Sequence, residues 1–283
     1  MRIAAVQFHV DHDNKQSNWD HVEYFLAEAQ KQKVDLIVFP EFFMGGPGRR
    51  STIVNGKERF GELARRYNLD IVPGTLVEQD QTDKKYYNVE YYIDKSGEAL
   101  LAYRKVHLWA PERRYLTEGR DGFPVAKNRF GITVGLCACW DIVFNEVFRE
   151  MVMDHKAQLV ICPAYWTLDD ISDIAKAYDP ECETKLIDGV CTSRAFENQC
   201  CVVFSNIATY GEKELRQPFG ISAGRSQIVV PFKGPIAHCN HNREAMIIAD
   251  VDVAKITEDA ETVYQLRSDW DQGRAHIGLK SKI

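Results

Sequence analysis

The chain has 283 residues, 45% of them apolar, which is enough for a substantial core without disulfide staples. Its 35 basic and 41 acidic residues leave a net charge of −6, arguing against a general nucleic-acid or membrane-surface role, either of which calls for a basic patch. The N-terminal MRIAAVQFHV runs straight into Asp11, His12 and Asp13 and reads as a strand rather than a signal peptide, and no apolar run reaches membrane-spanning length. A cytoplasmic protein acting on a small molecule is expected.

Ile3 to Phe8 is a predicted strand, and Asn18 to Gln32 carries Val22, Phe25, Leu26 and Ala29 at helical spacing. Val34 to Phe39 is an apolar strand ending at Pro40-Glu41, Glu58 to Tyr67 a second helix, and Asp70 to Val77 a third strand. Tyr86 to Ile93 and Glu98 to Tyr103, separated by Asp94-Lys95-Ser96-Gly97, form a hairpin. Phe123 to Val125 and Gly131 to Ala138 form a second pair across Lys127-Asn128. A helix is expected near Val143 to Asp154, a strand at Gln158 to Cys162, a long helix over Glu183 to Asn198 and a strand at Cys201 to Asn206. Ser226 to Pro231 and Ala245 to Val251 close the pattern. No linker, repeat or low-complexity tract divides the chain, so residues 1–283 are read as one layered α/β domain, with sheets packed together and helices outside. From Thr257 the tail is charged and weakly patterned, either disordered or an arm that orders on a partner subunit.

The eight cysteines lie mainly in apolar stretches and read as reduced core residues. Cys137 and Cys139 are not spaced as a zinc-binding CxxC, and no second ligand pair accompanies them. Cys139 is different from the rest because it stands in GLCACWDIVFNE, where an apolar strand meets a helix start. Such an elbow exposes a side chain beside free backbone N–H groups, which favours a thiolate and later an oxyanion. Glu41 follows the apolar VDLIVFP, where a partly desolvated carboxylate suits a general base. Lys105, in YRKVHLW, offers a positive donor for an oxyanion, and Glu112 follows in WAPERRYLTEG. Each of these alone has an ordinary reading as a solvated loop residue, surface charge or packing. Their combination is what points to chemistry.

PEF at Pro40 to Phe42, YRKVH at Tyr103 to His107 and CWDIVFNE at Cys139 to Glu146 together resemble the carbon–nitrogen hydrolase, or nitrilase, superfamily. RAFENQCCVVFSN at Arg194 to Asn206 and GRSQIVVPFKGPIA at Gly224 to Ala237 extend the similarity across most of the chain. The resemblance implies a four-layer α-β-β-α sandwich with two mixed β-sheets face to face, assembled as a homodimer or larger homo-oligomer. It implies Cys139 as nucleophile, Glu41 as general base, Lys105 and the backbone N–H of Trp140 as oxyanion donors, and no metal or organic cofactor. Glu112 becomes a second carboxylate that orients substrate or supports proton transfer, with Glu118 its nearest rival.

The implied reaction hydrolyses a linear, non-peptide C–N bond through a cysteine thioester. Asp141, where nitrilases proper typically carry Glu, favours amide or N-carbamoyl amine substrates over nitriles. Ile142 and Val143 stand where enzymes for carboxylate-bearing substrates often place Arg, which weakens that substrate class. CWD with Phe144 and Glu146 is similar to the carbamoyl-amine amidohydrolases, with Asn145 in place of their usual Pro. Tyr165 and Trp166 are expected to line the pocket, and Asp169, Asp170 or Asp173 to attract a cationic substrate or to be an exposed helix start. The alternatives are nitrile hydrolysis and a catalytically silent binding protein of the same fold.

Overall fold

A computed structural model describes residues 1–48, 52–53, 55–209 and 220–274. In the first sheet, β1 (Arg2–His9), β2 (Leu36–Val38) and β3 (Asp70–Val72) run parallel. It continues antiparallel through β5 (Tyr86–Ile93), which carries β4 (Thr75–Gln79) on one side and β6 (Ala99–Arg104) beside it. In the second, β8 (Thr133–Leu136), β9 (Leu159–Pro163) and β10 (Cys201–Ser205) are parallel. Antiparallel β7 (Val125–Lys127) flanks them on one side and β12 (Gln227–Val230) with β13 (Gly234–His238) on the other. Two short additions, β11 (Ile207–Ala208) and β14 (Ala245–Asp250), both pair with β1.

The alternation of side chains along each strand divides the core into layers. Leu36, Val38, Val72, Tyr92 and Tyr103 join Val134, Leu136 and Ile161 in the contact between sheets. Ala4, Val6, Ile37 and Phe39 face outward, onto α1 (Lys15–Lys31) and α2 (Gly56–Tyr67), which contribute Val22, Phe25, Leu26, Phe60 and Leu63. On the other side, α5 (Cys182–Asn198) covers the second sheet with Ile187, Cys191 and Ala195. Both sheets are mixed and the helices lie outside, which is the four-layer sandwich expected. Asn14 starts α1 as its N-cap, the side chain accepting from the N–H groups of Gln16 and Ser17.

Four expectations need correction. The strand over Asp70 to Val77 is split at Pro73-Gly74, because Gly74 has φ +57° and a Cβ there would lie 1.8 Å from the Pro40 carbonyl oxygen. A 3-10 turn (Cys139–Val143) precedes the helix expected over Val143 to Asp154, which starts only at Asn145 and forms as α3 (Asn145–Phe148) continued by a π-turn (Arg149–Asp154). Phe144 is extended between the first two pieces, and Arg194 takes the carbonyls of Ile142 and Val143 at 2.9 and 2.6 Å. Third, β13 was not among the expected strands, since Pro235 and Ile236 are both exposed and its burial does not alternate.

Lastly, the tail begins inside α6 (Val253–Tyr264), followed by α7 (Leu266–Asp271). Its buried face is only Val253, Thr257 and Ala260, too small to stand out in the sequence, and Asp252 caps it by accepting from Lys255 N–H at 3.1 Å. Residues 275–283 of the expected arm lie outside the described residues. Among the described residues no helix is long and apolar enough to cross a membrane.

Candidate active site

The catalytic candidates converge because three chain segments end at the same edge of the two sheets. After β2 the chain turns sharply through Pro40, with Phe42 at φ +51°, and aims Glu41 inward. After β6, Lys105 is the first residue of a loop that Gly119 closes, its N–H donating to the Lys105 carbonyl at 2.8 Å. A Cβ at Gly119 would lie 2.1 Å from the Arg104 carbonyl oxygen, so the loop closes this tightly only with glycine. After β8, Ala138 is still extended and Cys139 enters the 3-10 turn at φ +49°. A non-glycine residue held there is strained by about 1–3 kcal/mol and persists only where surrounding structure imposes it.

Lys105 is the electrostatic centre. Its Nζ donates to Glu41 Oε1 at 2.7 Å and lies 3.0 and 2.9 Å from the two oxygens of Glu112. Burial alone would lower the pKa of this lysine, but Glu112 and Glu41 outweigh it and hold the ammonium well above its usual value. Glu41 also accepts from Asn88 Nδ2 at 2.8 Å and from the backbone N–H of Tyr165 at 3.0 Å. Burial lifts Glu112 to about 7 despite Lys105, with Glu41 adding to the rise. The carboxylate is held in place by the Trp109 N–H at 2.6 Å. Glu118, its rival in the sequence, is exposed.

Burial pushes the Cys139 thiol well above its ordinary value, Glu41 adding to the effect and Lys105 only partly opposing it. That direction favours the thiol over the thiolate, so a base is needed as the sulfur attacks. The Trp140 N–H lies in the first turn of the 3-10 helix, where N–H groups lack an intrahelical acceptor.

Asp141 fixes that elbow. Its carboxylate accepts from Ala138 N–H at 2.8 Å, Tyr103 hydroxyl at 2.7 Å and His107 N–H at 3.0 Å. The His107 ring nitrogen Nδ1 lies 2.8 Å away, and the ring stacks on Phe144 at 4.0 Å between centroids. Asp141 thus ties the Cys139 turn to the Lys105 loop from beneath and does not line the pocket. Cys137 is buried and stays a packing residue.

Cys139, Glu41 and Glu112 open onto a cavity of about 280 Å³. Phe42, Trp109, Tyr115, Trp140, Tyr165 and Trp166 form most of its wall, so both aromatic candidates are in place. Of the acidic run, only Asp170 lines it. Asp169 instead holds Lys176 at 3.0 Å and the Ile221 N–H at 2.8 Å, while Asp173 begins the short α4 (Asp173–Tyr178) with its side chain exposed.

Glu183, on the first turn of α5, joins Asp170 in the wall and accepts from the Trp166 indole N–H. Burial raises Asp170 to about 6 even though the Thr167 N–H bonds it, and Glu183 adds to the rise. Among the described residues neither carboxylate has an ion-pair partner, and no Arg or Lys lines the cavity. No group of three or more His, Cys, Asp or Glu there is placed to hold a metal ion.

Sequence reasoning missed Asn88 and Glu183. Asn88 had a signal, since it and Glu90 are the polar residues of the otherwise apolar and aromatic YYNVEYYI, at positions whose alternation points them toward the core. Glu183 had none, because a Glu in the first turn of a helix is ordinary capping chemistry.

The carbon-nitrogen hydrolase family model matches residues 2–261. The chain is 29% identical over 265 residues to a probable nitrilase of Schizosaccharomyces pombe, covering 89% of this chain and 88% of that protein. It is 25% identical over 276 residues to the 2-oxoglutaramate amidase of Bacillus subtilis, covering 92% and 94%. Among solved structures, Saccharomyces cerevisiae Nit3, a member of the nitrilase superfamily, shares the fold with a TM-score of 0.78 at 22% identity over 94% of each chain.

Proposed function

The chain belongs to the carbon–nitrogen hydrolase family, and from that premise we propose that it hydrolyses a linear amide or N-carbamoyl amine through a thioester on Cys139. The observation that carries this reading is the buried Lys105 ammonium shared between Glu41 and Glu112, beside a cysteine on a strained elbow. Buried charge is expensive, and a lysine held between two carboxylates with a neutral thiol facing the same cavity is a costly arrangement for packing alone.

In the proposed cycle Glu41 takes the Cys139 proton as Sγ bonds to the substrate carbonyl carbon. The electron pair moves onto the carbonyl oxygen, which Lys105 Nζ and the Trp140 N–H stabilise. Collapse of the tetrahedral intermediate breaks the C–N bond, and Glu41 returns the proton to the departing nitrogen as ammonia or an amine. Water, deprotonated by the same Glu41, then attacks the thioester, releases the acid or carbamate and restores the thiol. Glu112, with a pKa of about 7, adjusts the charge around Lys105 as this proton moves.

The cavity wall supports an uncharged or cationic far end of the substrate. Its polar groups at that end are Asp170 and Glu183, which favour an ammonium over a carboxylate. Ammonia release should be assayed on carbamoyl amines, neutral amides, carboxylate-bearing amides and nitriles with wild type, Cys139→Ala and Cys139→Ser. Wild-type turnover of the first two classes, abolished in the variants, supports the reading. Unchanged turnover in Cys139→Ala rejects it, and preferred turnover of nitriles selects the nitrilase alternative.

A further inference from the structure

Strand β5 puts two polar side chains into the apolar contact between the sheets. Along YYNVEYYI the side chains alternate, so Asn88, Glu90 and Tyr92 look toward the second sheet while Val89, Tyr91 and Ile93 join the outer core. Asn88 donates from Nδ2 to Glu41, but its Oδ1 is buried without a donor. Glu90 is fully buried and neither of its carboxylate oxygens has a partner. Glu90 is thus one of several buried carboxyls, and they are treated differently. Glu41 and Asp141 are each surrounded by donors. Glu90 has none.

A lone carboxylate in such a layer costs more than giving up its charge, so the stable form is the neutral acid. Burial drives Glu90 well above the usual carboxylate range, and Cys162, Asp141 and Glu41 push the same way. Among the described residues, the groups facing it supply no compensating cation. Tyr103, its cross-strand neighbour on β6, spends its hydroxyl proton on Asp141, and Thr75, its neighbour on β4, accepts from the Phe42 N–H. A neutral carboxyl carries one O–H donor, which is what Asn88 Oδ1 lacks. Two residues apart on one strand face, the Cα atoms are separated by about 7 Å, a gap that the two side chains span directly or with one water.

We propose that Glu90 is a positioning residue that, as a carboxylic acid, donates its proton in a hydrogen bond to Asn88 Oδ1, directly or through one water. That bond fixes which end of the Asn88 amide faces Glu41. Glu41 accepts only, so it needs Nδ2, and a donor at Oδ1 favours this orientation of the amide over the flipped one. A proton on Glu90 thus orients the general base two groups away. If Glu90 ionised, Asn88 would have an acceptor on both sides, and one of its two contacts would break.

The inference rests on Glu41 being the general base, and its test separates the two. Glu90→Gln keeps a donor of the same shape, whereas Glu90→Leu removes it at similar volume. Using the amide or carbamoyl substrate that wild type turns over, we expect Glu90→Gln to keep kcat within about twofold and Glu90→Leu to lose about tenfold, with KM and thermal stability unchanged. Asn88→Ala should lose as much, and the Asn88→Ala/Glu90→Leu double variant no more than the larger single loss. The alkaline limb of the wild-type kcat profile should also move upward in Glu90→Gln.

Wild-type kcat in Glu90→Leu, equal losses in the Gln and Leu variants, or additive losses in the double variant would each overturn the proposal. Where Glu90→Leu does not fold, Glu90→Met is read by the same criteria, and loss of folding in both, with Glu90→Gln inactive, also overturns it. A flat Glu90 series with Cys139 still essential removes only this inference, while an active Cys139→Ala removes the reading of the site beneath it.

Discussion

The cavity has two acidic ends, and they are built on opposite principles. At one end Glu41 and Glu112 share Lys105, so the protein supplies its own cation at distances of 2.7 to 3.0 Å. At the other, Asp170 and Glu183 face aromatic walls, where Thr167 and the Trp166 indole N–H bond them and, among the described residues, no cation pairs with either. Reaction chemistry needs the first arrangement, because a fixed ammonium stabilises an oxyanion without reorganising. Binding needs the second, because a charge left uncompensated by the protein rewards a ligand that brings the opposite one.

The largest expected effects break the compensated end. Cys139→Ala should reduce kcat/KM to about a thousandth or less while leaving thermal unfolding near wild type, measured by ammonia release and calorimetry. Glu41→Gln should cost about 10²–10⁴-fold in kcat, and iodoacetamide labelling of Cys139 should slow with it. Lys105→Met should also destabilise the fold by about 3–5 kcal/mol, since it strands two buried carboxylates, and denaturant unfolding at pH 7.5 would read this.

A smaller effect sharpens the contrast at the uncompensated end. Asp170→Asn and Glu183→Gln should raise KM for an amine-terminated substrate about tenfold and leave kcat and the KM of a neutral amide unchanged. Equal KM changes for both substrates would show that these carboxylates shape the wall and do not read charge.

The smallest effect is in stability against pH. Asp170 is raised in the folded state from 3.8 to about 6, so the folded protein binds its proton more tightly than the unfolded chain. That contribution is fully present below the unfolded value near 3.8 and is lost as pH rises through about 6. Asp170→Asn should therefore raise the midpoint of thermal unfolding by a few degrees at pH 8 and have little effect at pH 4.

Most of the reacting end was legible in the sequence, and most of the binding end was not. Glu41, Lys105 and Cys139 each directly follow an apolar strand or its last residues, and strands are what sequence patterns show best. Glu112 was legible only through the family resemblance, and the loop that carries it is closed by Gly119 against Arg104. Asp141 was visible, but its position suggested substrate preference, whereas it serves the elbow from below. Glu183 comes from a helix more than forty residues after Cys139, and nothing local in CETKLID marks it as a pocket wall.

By itself the sequence determined most of the strands and helices, the layered class and the three candidate groups at strand ends, because alternation, helical spacing and turn residues are local. Only the tertiary structure decided which groups share charge. Whether Cys139 rests as a thiol, whether Glu112 titrates near neutrality and whether Glu90 carries a proton depend on which residues lie across a sheet contact and how much water is excluded. Those are sums over distant parts of the chain, and no local pattern encodes them.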